Sequence, residues 1–313
     1  MWRSHVADLL SRTATIYSVA HMAILVFGPP RLPPELERLI FELAAWNNLA
    51  CAARLIRVAH RVLVWIEPLL HRVYSIRDAT AYSRLRNLVL RRPDFAAANV
   101  HCLRFSSPLL NVFDLDTRYI LRTCVSVRIL STPGLATHAA LLDDLCELHA
   151  VRRLSLHIGK TFAFAGTWQM ELPTHFPFSG LTHLTVEDPE ITLQVVDVLQ
   201  SGIFPNLTHI AFAGLGSFPS HHTIREILAA PALRKTLVHM AVFVYFTHHR
   251  TKAASRLEQL VGDPRVDVAA SYMLEAEWDA AAWGIGPDEW DQARERAQRR
   301  RMCELPACTP MSP

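Results

Sequence analysis

The chain has 313 residues, half of them hydrophobic, and a formal net charge of +3. That is enough to bury one large core beside a small module. So near-neutral a balance provides no global field drawing the chain to nucleic acid or to an anionic membrane.

Six cysteines (Cys51, Cys102, Cys124, Cys146, Cys303 and Cys308) include no Cys-x-x-Cys pair. This speaks against a disulfide framework or a zinc knuckle and suits a reduced, intracellular chain. Residues 1–30 read as an N-terminal extension. Residues 16–27 are apolar, but a spanning helix needs about 20 apolar residues. Gly28-Pro29-Pro30 stands where a signal peptide would carry small residues for cleavage, so the expected segment is neither secretory nor membrane-spanning. Pro33-Pro34 then opens a helix over 35–45, since proline is tolerated in a first helical turn. Leu36, Leu39, Ile40 and Leu43 fall at helical spacing and form an apolar stripe, with Glu35 and Glu37 near the positive helix end. A second helix is expected over 49–66, with Leu55, Val58, Val62 and Trp65 on one side and Arg54, Arg57 and Arg61 on the other. Pro68 ends or kinks it.

From residue 85 an L-x-x-L-x-L template recurs: Leu85/Leu88/Leu90, Val100/Leu103/Phe105, Val127/Leu130/Thr132, Val151/Leu154/Leu156, Leu181/Leu184/Val186, Leu207/Ile210/Phe212 and Leu237/Met240/Val242. Apart from the first gap, the spacing matches a leucine-rich repeat or slightly exceeds it. The wording also repeats, as Leu-Thr-His-Leu, Leu-Thr-His-Ile and Leu-Val-His-Met. Helix-capable stretches at 139–149, 192–199 and 223–228 lie between the expected strands. Residues 265–269 read as a last strand. Trp278, Trp283 and Trp290 then suggest a capping segment, of the kind an open solenoid needs, and the final residues read as a disordered tail.

The segment 32–76, with its Leu-Pro-Pro start, amphipathic helix and Trp-Ile-Glu-Pro-Leu-Leu turn, resembles the F-box-like module of fungal (basidiomycete-type) F-box proteins, with the leucine-rich repeats behind it. The resemblance implies an α/β fold: a helical module over 31–76, an irregular leucine-rich-repeat solenoid of parallel strands with helices on its convex side over 80–270, and a capping segment and tail over 271–313. It further implies a substrate receptor of an SCF-type cullin–RING ubiquitin ligase, cytoplasmic or nuclear. A Skp-type adaptor, and through it cullin, would dock on Leu32, Pro33, Leu36, Ile40, Leu55 and Val58. Many F-boxes carry Trp four residues after that Val; here the position is Val62, and Trp65 follows. The alternative is a repeat scaffold with no ligase role.

In the repeats, His183, His209 and His239 occupy one template position, predicted to face the concave side with Arg153 and Thr185. This column is the expected target-binding surface. Three stacked imidazoles also suit a metal, but no carboxylate or cysteine completes a set, so no metal and no cofactor is expected. No Gly-x-Ser-x-Gly, P-loop, dinucleotide or His-Glu-x-x-His signature is present, and the acid pairs Asp143-Asp144 and Glu187-Asp188 have no nucleophile beside them. The expectation is a non-catalytic chain. Asn206-Leu207-Thr208 fits a glycosylation sequon but begins a strand. Arg72, Arg77, Arg84, Arg86, Arg91 and Arg92 read as a solvated basic face, so neither nucleic acid nor membrane is an expected partner.

Overall fold

The computed structural model describes residues 32–46, 48–106, 115–132, 142, 144–145, 147–163, 178–213, 219–243, 257, 259–269, 278, 281–284, 290–292, 295 and 299. The N-terminal extension, the expected tail and residues 139–141, 143 and 146 of the stretch at 139–149 lie outside them. The chain divides into two compact units, Met1–Glu67 and Pro68–Pro313. Among the described residues no helix is long and apolar enough to cross a membrane.

The first unit holds α1 (Pro34–Trp46), α2 (Leu49–Leu55) and the start of α3 (His60–Leu70). Asn48 caps α2, its side-chain oxygen accepting from the Cys51 amide at 2.9 Å, as a good N-cap residue does. The expected second helix is therefore two helices. After Leu55 the amides of Arg57 and Val58 reach back only three residues, to Arg54 and Leu55; that tighter turn ends the helical ladder. Pro68 lies inside α3, which ends two residues later. Ala45, Ala52, Val62 and Ile66 are buried, Phe41 and Trp65 meet at 6.4 Å, and Arg61 forks onto the Glu37 carboxylate at 2.6–3.2 Å.

The second unit contains one open, all-parallel sheet of eight strands in chain order, a solenoid-like arrangement. The strands are β1 (Val73–Ile76), β2 (Cys102–Phe105), β3 (Ile129–Ser131), β4 (Arg153–Leu156), β5 (His183–Val186), β6 (His209–Phe212), β7 (His239–Phe243) and β8 (Val266–Ala269); their starts are 24 to 30 residues apart. Tyr74, Leu103, Leu130, Leu154, Leu184, Ile210, Met240 and Val266 are paired in register from strand to strand. All but half-buried Tyr74 are buried within the main apolar cluster. Each fully buried side chain of this size is worth roughly 1.5–3 kcal/mol of transfer free energy.

Helices supply the other side of that core. They include α4 (Ala79–Arg91), α5 (Pro93–Asn99), α6 (Leu115–Thr123), α7 (Ile158–Ala163), α8 (Leu193–Gln200), α9 (His221–Ala229) and α10 (Pro231–Arg234). Among their residues Leu85, Ile120, Val195 and Ile224 join the same cluster.

Two expectations are corrected here. Leu85, Leu88 and Leu90 are not a strand but part of α4, which Asp78 caps by accepting from the Ala81 amide at 2.8 Å. Leu85 and Val89, four apart, face the core, while Leu90 is exposed. The strand of that period is β1, within the segment assigned to the helical module, which moves the start of the sheet back to Val73. Nor does the basic run form one face. Arg86 pairs with Asp116 on α6, and the Arg92 guanidinium lies 4.0 Å from the centre of the Phe95 ring.

Each of β1 to β6 is preceded by a carbonyl that accepts two successive amides of the next period. Arg72 O takes those of His101 and Cys102, His101 O those of Arg128 and Ile129, and Arg128 O those of Arg152 and Arg153. The series continues through Arg152, Thr182 and Thr208. Between periods, buried Asp144 is held by Arg118 Nε at 2.7 Å and Arg122 Nε at 2.6 Å. Asp144→Ala leaves two cations facing a void. Because both guanidiniums reach solvent, the expected loss is about 2 kcal/mol, below the usual cost of breaking a fully buried pair, and is checked by urea unfolding. An unchanged midpoint would show that the clamp contributes nothing.

Candidate functional site

The predicted adaptor-contact residues lie in the first unit. Leu36, Leu39, Ile40 and Leu43 of α1 are 48%, 50%, 53% and 65% exposed, and Leu32, Pro33 and Val58 are exposed as well. Leu55 is half-buried, and Val62, expected on the same stripe, is buried. The helix break at residues 56–59 separates these positions, so only the α1 stripe is continuous. A contiguous apolar row left in water is the usual mark of a surface awaiting a partner.

The second candidate is the sheet face opposite the main core. Strand alternation places there Val73, Cys102, Ile129, Arg153, His183, His209 and His239 in one row, and Ser75, Arg104, Ser131, Ser155, Thr185, Ala211, Ala241 and Asp267 in the next. The expected histidine column is thus in register. His183 and His209 stack at 4.2 Å and 8°, while His209 meets His239 at 6.1 Å and 65°. Thr182 and Thr208 hydroxyls donate to the carbonyls of Arg152 and Thr182, and each lies 2.8 Å from the Nδ1 of the following histidine. With the hydroxyl protons committed, the network assigns the donating hydrogen to Nδ1 of each ring. Parallel rings with Nδ1 occupied do not converge on a common ion. Among the described residues no group of three or more His, Cys, Asp or Glu is arranged to hold a metal.

The described residues Trp278, Ala282 and Trp290 of the C-terminal segment lie against this face of the sheet. The Trp290 indole lies edge-on to His183 at 5.1 Å and to His209 at 5.5 Å, and it packs with Ala211, Ala213 and Ala241. The small side chains of β6 and β7 leave the depression that the indole fills. Trp278 packs with Cys102 and Ala282 and lies under the Arg104 guanidinium at 5.3 Å, a cation–π distance. The expectation of an open histidine ladder is corrected accordingly: His239 is buried, and His183, His209, Arg153 and Thr185 are half-buried.

Further along this face, the Ser155 hydroxyl donates to Glu187 Oε1 at 2.6 Å. Burial holds the Glu187 carboxyl above its ordinary value and the Asp188 charge pushes the same way, against the Ser155 hydroxyl and Arg104. Burial likewise raises Asp188, which accepts from the Gly159 amide at 2.9 Å; a Cβ at Gly159 would sit 2.8 Å from that oxygen, so the approach needs glycine. The acid pair therefore ties β4, β5 and α7 together. The Cys102 thiol is pushed up to about 11 by burial, against Arg72, Arg153 and Arg128, which leaves it protonated and a poor nucleophile.

The sequence reading named Arg72 within a basic run but did not group it with the residues that share its place in the repeat. Arg72, His101, Arg128 and Arg152 occupy the position just before the strand in the first four periods, where Thr182, Thr208 and Val238 stand in the next three. The signal was available: three of the four directly follow the first apolar residue of the template. No protein-family model matches the chain, and no curated protein matches it.

Two outcomes follow. Trp290→Ala should lower stability by about 3 kcal/mol and raise the reactivity of His183 and His209 toward diethyl pyrocarbonate; unaltered histidine reactivity would contradict the covered face. A carboxyl with a raised folded pKa contributes most at low pH, and the contribution fades as pH rises from about 4 through the folded value. Glu187→Gln, which keeps an acceptor for Ser155, should therefore melt higher than the parent at pH 7 and equally at pH 4. A lower melting point at pH 7 would reverse the sign.

Proposed function

We propose that this chain is a substrate-receptor subunit of an SCF-type cullin–RING ubiquitin ligase, with an F-box-like module in its first unit and a leucine-rich-repeat solenoid in its second. The observation that carries the reading is the exposed stripe Leu36, Leu39, Ile40 and Leu43 on α1, next to exposed Leu32 and Pro33. It is a helix face of the kind a Skp-type adaptor would cover, with Leu55 and Val58 as further adaptor contacts in this reading. The solenoid reading is supported by strands that follow chain order at leucine-rich-repeat spacing.

In this reading the chain is not itself an enzyme and needs no cofactor. It holds a target protein near a charged conjugating enzyme, so the rate gain comes from proximity. It works in cytoplasm or nucleus, away from membrane and nucleic acid. The target contact lies outside the half of the sheet face that Trp290 covers.

The test is capture of the purified full chain by a Skp-type adaptor. Leu32→Ala/Pro33→Ala/Ile40→Asp, verified as folded by circular dichroism, should weaken capture by 100-fold or more, since truncating a buried interface centre costs at least about 2 kcal/mol per anchor. A folded parent that the adaptor does not bind would overturn the proposal and leave a repeat scaffold without a ligase role.

A further inference from the structure

A cleft of about 740 Å³ runs along the rim of the sheet where β1 to β4 begin, between that rim and Ala281, Ala282, Gly284 and Asp291. Its polar lining is unusual in sign. Arg72, Arg128, Arg152 and Arg153 line it with His101, and Asp291 is the carboxylate among the described lining residues. Register makes this more than a chance cluster. Arg72, His101, Arg128 and Arg152 are the double-acceptor residues of four consecutive periods, so one basic side chain leaves each strand start at the interstrand spacing of roughly 4.8 Å. The next three periods carry Thr182, Thr208 and Val238, and Arg265 before β8 forks onto Asp263.

The positions are also held. Arg152 Nη1 donates to Gly180 O at 2.8 Å. A Cβ on Gly180 would stand 1.9 Å from that nitrogen, so the guanidinium rests directly on a glycine backbone. His101 Nδ1 lies 3.2 Å from the Ser126 carbonyl. Side chains anchored in this way lose little further freedom on binding, which favours affinity.

We propose that this cleft binds an extended acidic peptide segment of a partner protein. Four strand starts span roughly 14 Å, the length of about four extended residues. Alternate residues of such a peptide face the same way and can set two or three carboxylates or phosphates against the guanidiniums, whose planar forks suit either anion. Single-stranded nucleic acid would want aromatic platforms for its bases, and the described lining contains no Phe, Tyr or Trp. The proposal deepens the receptor reading by naming the chemistry of its target, and rests on that reading only there.

The test uses the full chain without any adaptor and measures fluorescence anisotropy with labelled octaglutamate, a matched octaglutamine and a ten-nucleotide oligothymidine. Octaglutamate should bind and octaglutamine should not, and binding should weaken with salt. Arg128→Gln/Arg152→Gln should reduce octaglutamate affinity about tenfold. Arg84→Gln/Arg91→Gln, which changes two exposed arginines of α4, should leave it unchanged. Asp291→Asn, which removes charge from the cleft wall, should raise it about twofold to threefold. No binding of octaglutamate, equal loss in the two arginine pairs, or tighter binding of the oligonucleotide would each overturn the proposal. Adaptor capture is a separate measurement, so either result can fail while the other stands.

Discussion

Register across the parallel sheet is the constraint on which the second unit depends. The residue before each of β1 to β6 presents one carbonyl to two amides of the following period, and that shared acceptor sets where the next strand begins against its neighbour. Because side chains alternate along a strand, a slip of one residue would turn Leu154 and Leu184 to the Trp-covered face and drive Arg153 and His183 into the apolar core. Burying one unpaired cation there would cost more than several leucines return. The same register that buries the leucine row therefore stacks the imidazoles and aligns the basic rim.

The two faces of this sheet do different work. The face toward the helices is a continuous apolar core with no polar residue in its central row except the half-buried Tyr74 hydroxyl. The opposite face mixes histidine, serine, threonine and arginine, and it is covered where alanines make room for Trp290 and where Cys102 lies under Trp278. On that side the Glu187 carboxyl is tied locally by the Ser155 hydroxyl. The C-terminal segment thus acts as the second layer that a polar sheet face otherwise lacks, while its far edge forms one wall of the basic cleft.

Much of the sheet was legible from the L-x-x-L-x-L template, since six of its strands are marked by buried apolar residues at fixed spacing. The first strand was not. Its template positions are His71, Tyr74 and Ile76, and an edge strand with half-buried sites accepts the polar aromatic pair that His71 and Tyr74 form. The Leu85 match failed for the opposite reason: leucines three apart satisfy a helix as readily as a template, and Asp78 supplies the cap. In the helical module the stripe on α1 was readable, but the break after Leu55 was not, because no proline or glycine marks it. Histidine periodicity placed the column correctly. Nothing in the spacing of Trp278, Trp283 and Trp290 told which surface would receive them, because burial of an indole is local in composition but remote in partner.

That remoteness has a consequence for biosynthesis. Cys102 meets Ala282 across 180 residues of chain, whereas each strand pairs with one made fewer than about thirty residues earlier. During vectorial synthesis the sheet can grow strand by strand as it leaves the ribosome, but its polar face stays bare until the tryptophans emerge. Nascent chains stalled beyond β8 would present alanine-lined depressions and stacked imidazoles to solvent, a form suited to chaperone capture. Completion of the fold is in this sense timed by Trp290, which seals the polar face, rather than by the sheet itself.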